Sequence, residues 1–409
     1  MIPHPLAAAA TARPAHPALR FQEQVWTYAE LAQRVAALAG ALQAAGVRRG
    51  DTVALGARAT PDFVVELHAV GWLGAVADVR EEAPPLDHVG CEPISAAVWG
   101  LEDPRLVLHT SGTTGTPRAV PLLTRQLLFS AMGSALRLGH LPSDRWVACL
   151  PLHHIGGLSI LLRCAWYATT VELHERFDAQ AVSDALDAGA PLISLVPTQL
   201  LRVLDARSDR PFPPSLRAIL LGGAPSSAAL LDRCRAIHAP VSRSWGMTET
   251  ASQVATTFPG DLDTPGAPPL AFARVHADDA GLLHVLPPHA AAPLLTSDRG
   301  ELRDGRVLVH GRADDLLISG GENLSPAEIE AVLEAHPAVR EAAVIGIPDP
   351  VWGQRPAAFL VGVPVPDEQL RAWCRERLAP YKAPDRFTWL DVLPRTALGK
   401  LQRAALRER

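Results

Sequence analysis

A chain of 409 residues is too long for one core, so two or three domains are expected; 48% hydrophobic residues can fill them, and a charged fraction of only 20% excludes a disordered chain. A net charge of -5 gives no support for a nucleic-acid or anionic-membrane partner, and no run of 18 uncharged apolar residues marks a membrane span. The five cysteines (Cys91, Cys149, Cys164, Cys234, Cys374) are widely spaced without a C-x-x-C pattern, and the Ala-rich start has no basic residue before Arg13; this argues against a disulfide framework, a zinc site and a signal peptide, and for the cytoplasm.

The first readable element begins at Thr27. With Glu30 three residues on it forms a capping box, and Leu31, Val35, Leu38 and Leu42 mark one helical face that Gly46 ends. Asp51 to Leu55 reads as a strand and Pro61 to Leu73 as a helix. Leu106 to Val120, LVLHTSGTTGTPRAV, then breaks the pattern: an apolar run delivers a loop of Thr, Ser and Gly. Gly112 and Gly115 permit positive φ and uncovered amides, and the hydroxyls of Thr110, Ser111, Thr113 and Thr114 add donors, which together suit phosphate. It is not a Walker A loop, since no Gly-Lys-Ser/Thr follows; an ordinary polar hairpin loop is the alternative.

Beyond it, helices are expected at Thr124 to Leu138 and Gly157 to Tyr167, with strands at Trp146 to Leu150, Leu192 to Val196 and Leu216 to Leu221. This alternation predicts an α/β fold, with parallel-rich sheets flanked by helices. From Phe258 to Leu302 the text turns to Pro, Ala, Gly and Asp with short apolar runs, predicting a small β subdomain. In GRADDLLISGGENLSPAEIE, from Gly311, Ser325 as N-cap, Pro326 and Glu328 predict a second capping box. A compact α+β module follows, with strands at Ala342 to Ile347 and Ala357 to Val361 and a helix from Asp367 to Leu378.

Three clusters carry candidate chemistry. LPLHHIGG, from Leu150, puts His153 and His154 at the carboxyl end of a strand, where open parallel sheets bind ligands; the pair lacks metal-ligand spacing, and a core histidine is the plain alternative. In LLGGAP, Gly222, Gly223, Ala224 and Pro225 let a flat group approach the backbone, while in SWGMTETASQ Trp245 offers a stacking face and Thr248 with Glu249 a hydroxyl and a hard carboxylate suited to magnesium. Singly, a core Trp and a helix-capping Glu would serve as well. In PRTALGKLQR, Gly399 permits a turn that could project Lys400, otherwise a solvated charge.

In this order HTSGTTGTPRAV, SWGMTET, GRADDLLISGGENLSPAEIE and RTALGK resemble the adenylate-forming superfamily of acyl-CoA synthetases, carrier-domain adenylation enzymes and beetle luciferases, from about Thr27 to Arg403. The short length, LPLHHIGGLSIL and ISGGENLSPAEIE most resemble its o-succinylbenzoate:CoA ligases of menaquinone biosynthesis. The resemblance implies ATP and Mg2+ as cofactors and CoA as co-substrate of a small carboxylic acid, with a homodimer left open. It implies a large N-terminal domain (1–312), a hinge (313–315) and a small mobile C-terminal domain (316–409). Thr110 to Gly115 would wrap the ATP phosphates; Gly222 to Pro225 and Trp245 would hold adenine; Asp298 and Arg312 would hold the ribose. Thr248 would contact phosphate, Glu249 bind magnesium, Asp314 serve as the hinge, His154 gate the acyl carboxylate and Lys400 act as the catalytic lysine. Leu158, Gln199 and Ser252 would line the acyl pocket, but no residue presents itself for a second carboxylate. The chain departs from the superfamily pattern at Thr116 and Arg118, where lysines are usual, at Ala119 for Gly and at Trp245 for Tyr, and its N-terminal subdomain is expected to be trimmed. Other readings are a ligase for another aryl or short acyl acid, an enzyme loading a carrier protein, or a non-catalytic nucleotide-binding relative.

Overall fold

The computed structural model describes residues 1–86, 91–111, 117–319, 322–396 and 401–407. They fall into two compact units: Met1–Gly223 with Ala239–Arg274 and Val285–Leu294, and Ala224–His238 with Val275–His284 and Leu295–Arg409. The class is α/β, as the alternating pattern predicts.

In the first unit the capping box forms: the Thr27 amide donates to Glu30 Oε2 at 2.8 Å and the Glu30 amide to Thr27 Oγ1 at 3.3 Å. The helix Tyr28–Ala44 that follows buries Leu31, Val35, Leu38 and Leu42. An eight-stranded sheet runs in the order Ser252–Thr256, Val241–Met247, Ala218–Leu221, Leu192–Leu195, Arg145–Ala148, Thr170–Leu173, Pro17–Phe21, Gln24–Thr27. Its six inner strands are parallel, and the two at its edges pair antiparallel. Parallel strands align their carboxyl ends, so the residues that follow Ala148, Leu195 and Leu221 share one edge with the end of Val241–Met247. A second sheet orders Thr52–Gly56, Val76–Arg80, Pro104–Ser111 and Pro117–Leu123.

In the second unit the strands Leu294–Arg303 and Arg306–Arg312 pair antiparallel in a four-stranded sheet, part of the expected small β region. A five-stranded sheet follows, in which the hairpin Val339–Asp349 and Gly353–Gly362 is the long member and Arg386–Trp389 adds parallel to its second strand. The helices Pro326–Glu334 and Asp367–Arg375 bury Ile329, Leu333, Leu370 and Cys374 with Val344, Leu360 and Phe387.

One expectation needs correction. The Ser325 box does not close: Ser325 Oγ donates to the His310 carbonyl at 3.5 Å, and the Glu328 carboxylate takes Lys382 Nζ at 2.7 Å. A tertiary ion pair has claimed the residue that local capping would use. The chain also gains structure before Thr27, a helix Pro5–Ala12 and the strands Pro17–Phe21 and Gln24–Thr27.

Candidate active site

The two strands that flank the Thr/Ser/Gly stretch pair with each other. Pro104–Ser111 and Pro117–Leu123 pair antiparallel, with Thr110 opposite Arg118 and Ser111 opposite Pro117. Gly112, Thr113, Thr114 and Gly115 lie outside the described residues, as does Lys400. At the hairpin base Thr110 Oγ1 donates to the Arg118 carbonyl at 3.4 Å. His109 Nε2 lies 2.6 Å from Asp78 Oδ1, while Arg80 donates to Asp78 Oδ2 at 2.8 and 2.6 Å. Burial alone would raise the Asp78 carboxyl, but these bonds outweigh it and hold it below its usual range. The stem is thereby fixed by charge-assisted bonds that the motif itself does not contain.

The SWGMTET segment is a strand running into a strained turn. A Cβ on Gly246 would stand 1.8 Å from the Ser252 carbonyl, so only glycine fits the bulge. Thr248–Thr250 makes one tight turn, after which Ala251 (φ 53°) and Ser252 (φ 101°) sit at left-handed torsions costly for side-chain-bearing residues. The turn is held from the helix Thr124–Leu138, where Gln126 Nε2 donates to the Glu249 carbonyl at 2.7 Å and Ser130 Oγ to the Ala251 carbonyl at 2.8 Å. The Glu249 carboxylate stands 4.0 Å from Arg118 Nη1, so the geometry joins the base of the hairpin to the Thr248–Glu249 turn. Among the described residues no group of three or more His, Cys, Asp or Glu could hold a metal alone. One carboxylate beside a hydroxyl suits magnesium that arrives with phosphate oxygens and water as its other ligands.

His154 precedes the helix Ile155–Tyr167, its half-buried ring 4.1 Å from that of His153; burial lowers the His153 pKa, with Glu81 opposing. A Cβ on Gly157 would meet the Pro151 carbonyl at 2.6 Å, which explains the Gly there: the helix starts hard against the strand end. Of the expected pocket residues Leu158 is fully buried, Ser252 is in the strained turn, and Gln199 spends its carbonyl oxygen on the Val196 amide at 3.2 Å. Gly222 and Gly223 follow Ala218–Leu221, Gly223 at φ +83°, and Trp245 is half-buried rather than part of the core.

One residue of this region was not foreseen. Arg163, on the same helix as Leu158, is 2% exposed; Nη2 donates to Ser130 Oγ at 3.3 Å, its Nη1 has no hydrogen-bond partner, and no ion pair forms among the described residues. The Trp146 ring lies 5.7 Å from Cζ. The sequence signal was the single charge in IGGLSILLRCAWY. A polar cleft of about 380 Å³, lined among others by Arg20, Arg145 and Arg217, lies at the opposite, amino ends of the strands; Arg145 is paired to Glu172 and Arg217 to Asp144.

In the second unit Ala224 and Pro225 precede the helix Ala228–Ala236. Asp298 pairs across the strands with Arg312, whose Nη1 is 3.9 Å from Asp298 Oδ1; the Arg312 fork meets Asp314 at 3.0 and 2.6 Å. The Asp314 bonds, ahead of opposing burial, raise the Arg312 pKa. Farther along, Glu334 is pushed up to about 7, chiefly by burial, with Glu330 and Glu341 adding to the shift and the Ala342 amide and Arg395 opposing it. A carboxyl whose folded pKa exceeds its unfolded one favours folding when protonated. Its contribution is complete below about pH 4.5 and is lost as pH rises to about 7, up to about 3 kcal/mol in all. We expect Glu334→Gln to flatten that fall, checked by denaturant unfolding at pH 5.5 and pH 8.

A hairpin whose base meets a Thr-Glu turn at the carboxyl edge of a parallel sheet suits a nucleotide-using α/β enzyme, and the chain belongs to the AMP-binding enzymes: that family model matches residues 6–89 and 78–305, and the AMP-binding enzyme C-terminal domain matches 328–400. Its class is the AMP-forming acid–thiol ligases. The chain is 36% identical to the 2-succinylbenzoate–CoA ligase of Bacillus licheniformis over 451 residues, covering 93% of this chain and 94% of the relative. Because 93% of 409 residues fills an alignment of that length only with gaps, the relative carries stretches that this chain lacks. The o-succinylbenzoate CoA synthetase of Bacillus subtilis, solved with its acyl-adenylate intermediate, superposes with a TM-score of 0.89 at 34% identity, covering 100% of this chain and 98% of that one. The same enzyme in complex with ATP and magnesium ion gives 0.89 at 34%, covering 100% and 99%.

Proposed function

We propose that this chain joins 2-succinylbenzoate to coenzyme A in two steps. A carboxylate of the acid attacks the α-phosphorus of ATP, pyrophosphate leaves and an acyl adenylate forms; the CoA thiol then attacks the acyl carbon and AMP leaves. The activity named for the relatives supports the acid, and the relative solved with ATP and magnesium supports the nucleotide. The observation on this chain that favours a diacid is Arg163. 2-Succinylbenzoate keeps one carboxylate when the other is adenylated, and a desolvated guanidinium with an unused N–H is the group that would hold it, since a buried charge without a counter-ion is costly. Arg163 lies two hydrogen bonds from the turn that carries Ser252, through Ser130 and the Ala251 carbonyl.

The first step brings two anions together, so it needs positive charge and in-line positioning rather than acid or base. In our reading Glu249 holds magnesium on the phosphates, Thr248 and Thr110 to Gly115 contact phosphate, and Arg118 replaces a lysine of the loop. Gly222 to Pro225 with Trp245 take adenine, His154 gates the acyl carboxylate beside Leu158, Gln199 and Ser252, and Asp298 with Arg312 takes the ribose. Lys400 supplies the mobile cation of step one. Asp314 is the pivot by which the C-terminal domain withdraws that lysine for the thiol step; since its carboxylate is bound by Arg312, turning there must carry or break an ion pair. No helix among the described residues is long and apolar enough to cross a membrane. All five cysteines are free thiols, which fits a reducing compartment, and we assign the reaction to the cytoplasm.

The test is pyrophosphate release over a panel of aryl and alkyl acids, with and without CoA. We expect 2-succinylbenzoate to turn over fastest with CoA and to give a single burst of pyrophosphate without it. If it is inactive while benzoates or fatty acids react, the acid is wrong and the ligase class stands.

A further inference from the structure

The described residues on either side of the proposed lysine, which itself lies outside them, are tied down separately. Arg395 and Leu401 form an antiparallel bridge, and the Gln402 amide donates to the Pro394 carbonyl at 2.9 Å, so the segment between them is closed at its base. Leu393 and Leu406 are buried with Ala343, Ile345, Phe359 and Val361, and Leu401 packs on them, docking the stem on one face of the sheet. Two ion pairs then bracket it. On the leading leg Arg395 Nη2 meets Glu341 Oε2 at 2.7 Å; on the trailing leg Arg403 Nη2 meets Glu330 Oε1 at 2.7 Å. The carboxylates are themselves placed by regular structure. Glu330 is on the helix Pro326–Glu334 and also accepts the Val344 amide at 2.8 Å; Glu341 is on the strand Val339–Asp349. All four side chains are largely shielded, between 15% and 27% exposed, so these pairs are screened less than surface pairs.

We infer that Glu330 and Glu341, acting through Arg403 and Arg395, are positioning residues that fix the stem carrying Lys400. The inference rests on the reading that Lys400 serves adenylate formation. A lysine that must meet a developing charge at one point gains from a stem with few alternative orientations, since misplacement by an ångström is costly in rate. Four charges in two separate pairs restrain both flanks of the lysine, at Arg395 and at Arg403, which one pair would not.

The test compares wild type with Glu330→Gln, Arg403→Gln and Arg403→Lys, each also in a Lys400→Ala background, with thermal unfolding as the check on folding. Two half-reactions are read: pyrophosphate formation from ATP and 2-succinylbenzoate, and thioester formation from supplied acyl adenylate and CoA. We expect Glu330→Gln and Arg403→Gln to slow the first by about 10- to 100-fold and the second by less than about 3-fold, with Arg403→Lys recovering most of the loss. In the Lys400→Ala background neither should cost anything more, because both act through the lysine. Equal losses in both half-reactions, further loss in that background, or no loss at all would overturn the inference. If Lys400→Ala itself leaves the first half-reaction intact, the lysine reading falls and this inference with it, whereas a clean Lys400 split with unaffected Glu330 and Arg403 variants removes only the inference. Should Glu330→Gln fail to fold, Arg395→Gln puts the same question to the other leg.

Discussion

Lys400→Ala is expected to slow adenylate formation by about 1,000-fold or more, roughly 4 kcal/mol of transition-state stabilisation, while thioester formation from supplied acyl adenylate changes by less than about 3-fold. The asymmetry follows from charge. In the first step a carboxylate approaches a triphosphate, and the transition state spreads negative charge over the phosphoryl oxygens and the departing pyrophosphate. Magnesium neutralises part of it, and the loop of this chain has a threonine and an arginine, Thr116 and Arg118, in place of usual lysines, so fewer mobile cations share the remainder. In the second step a neutral or thiolate sulfur attacks a mixed anhydride and AMP is already a good leaving group. No equivalent cation is required there. Pyrophosphate release and thioester formation measured separately decide the matter: equal losses in both would show that the lysine supports the fold or a common step.

The candidate motifs stand out in the text because each is contiguous. The Thr248–Glu249 turn lies in one stretch, SWGMTET, whose backbone is dictated from within by Gly246, a position that admits no Cβ. The helix after Thr27 was legible for the same reason, its cap and apolar face being local. What escaped was set by distant partners. The strand Pro17–Phe21 lacks clear alternation and exists because Thr170–Leu173 pairs with it parallel. The Ser325 box looked complete in sequence, yet Lys382, more than fifty residues away, holds Glu328. The clamp residues Glu330 and Glu341 are ordinary helix and strand glutamates until the fold sets Arg403 and Arg395 beside them. Arg163 is the extreme case: a charge in an apolar helix is visible in the text, but its lack of a counter-ion among the described residues is a property of the packed interior alone.

With no counter-ion among the described residues, the Arg163 guanidinium is set to take one from the substrate. Arg163→Met keeps an unbranched, flexible side chain of similar length and removes the charge. We expect kcat/KM for 2-succinylbenzoate to fall by about 100-fold, near 2.7 kcal/mol, with the loss mostly in KM. The two analogues that each lack one carboxylate separate recognition from damage: the one still adenylated by wild type should react with the variant at least as well as with wild type. The ligand-free protein should also unfold at the same or higher denaturant concentration, since a desolvated guanidinium with one hydroxyl for company destabilises the fold, and an apolar side chain relieves it by about 1 kcal/mol or more. A guanidinium that served only as a tie between the helices would behave oppositely. Its removal would lower stability and depress turnover of the diacid and the monoacid alike, and that pair of results would exclude Arg163 as the carboxylate partner. Arg163→Lys distinguishes charge from geometry: a point charge should recover part of the diacid preference, and a two-pronged contact would leave the remainder unrecovered.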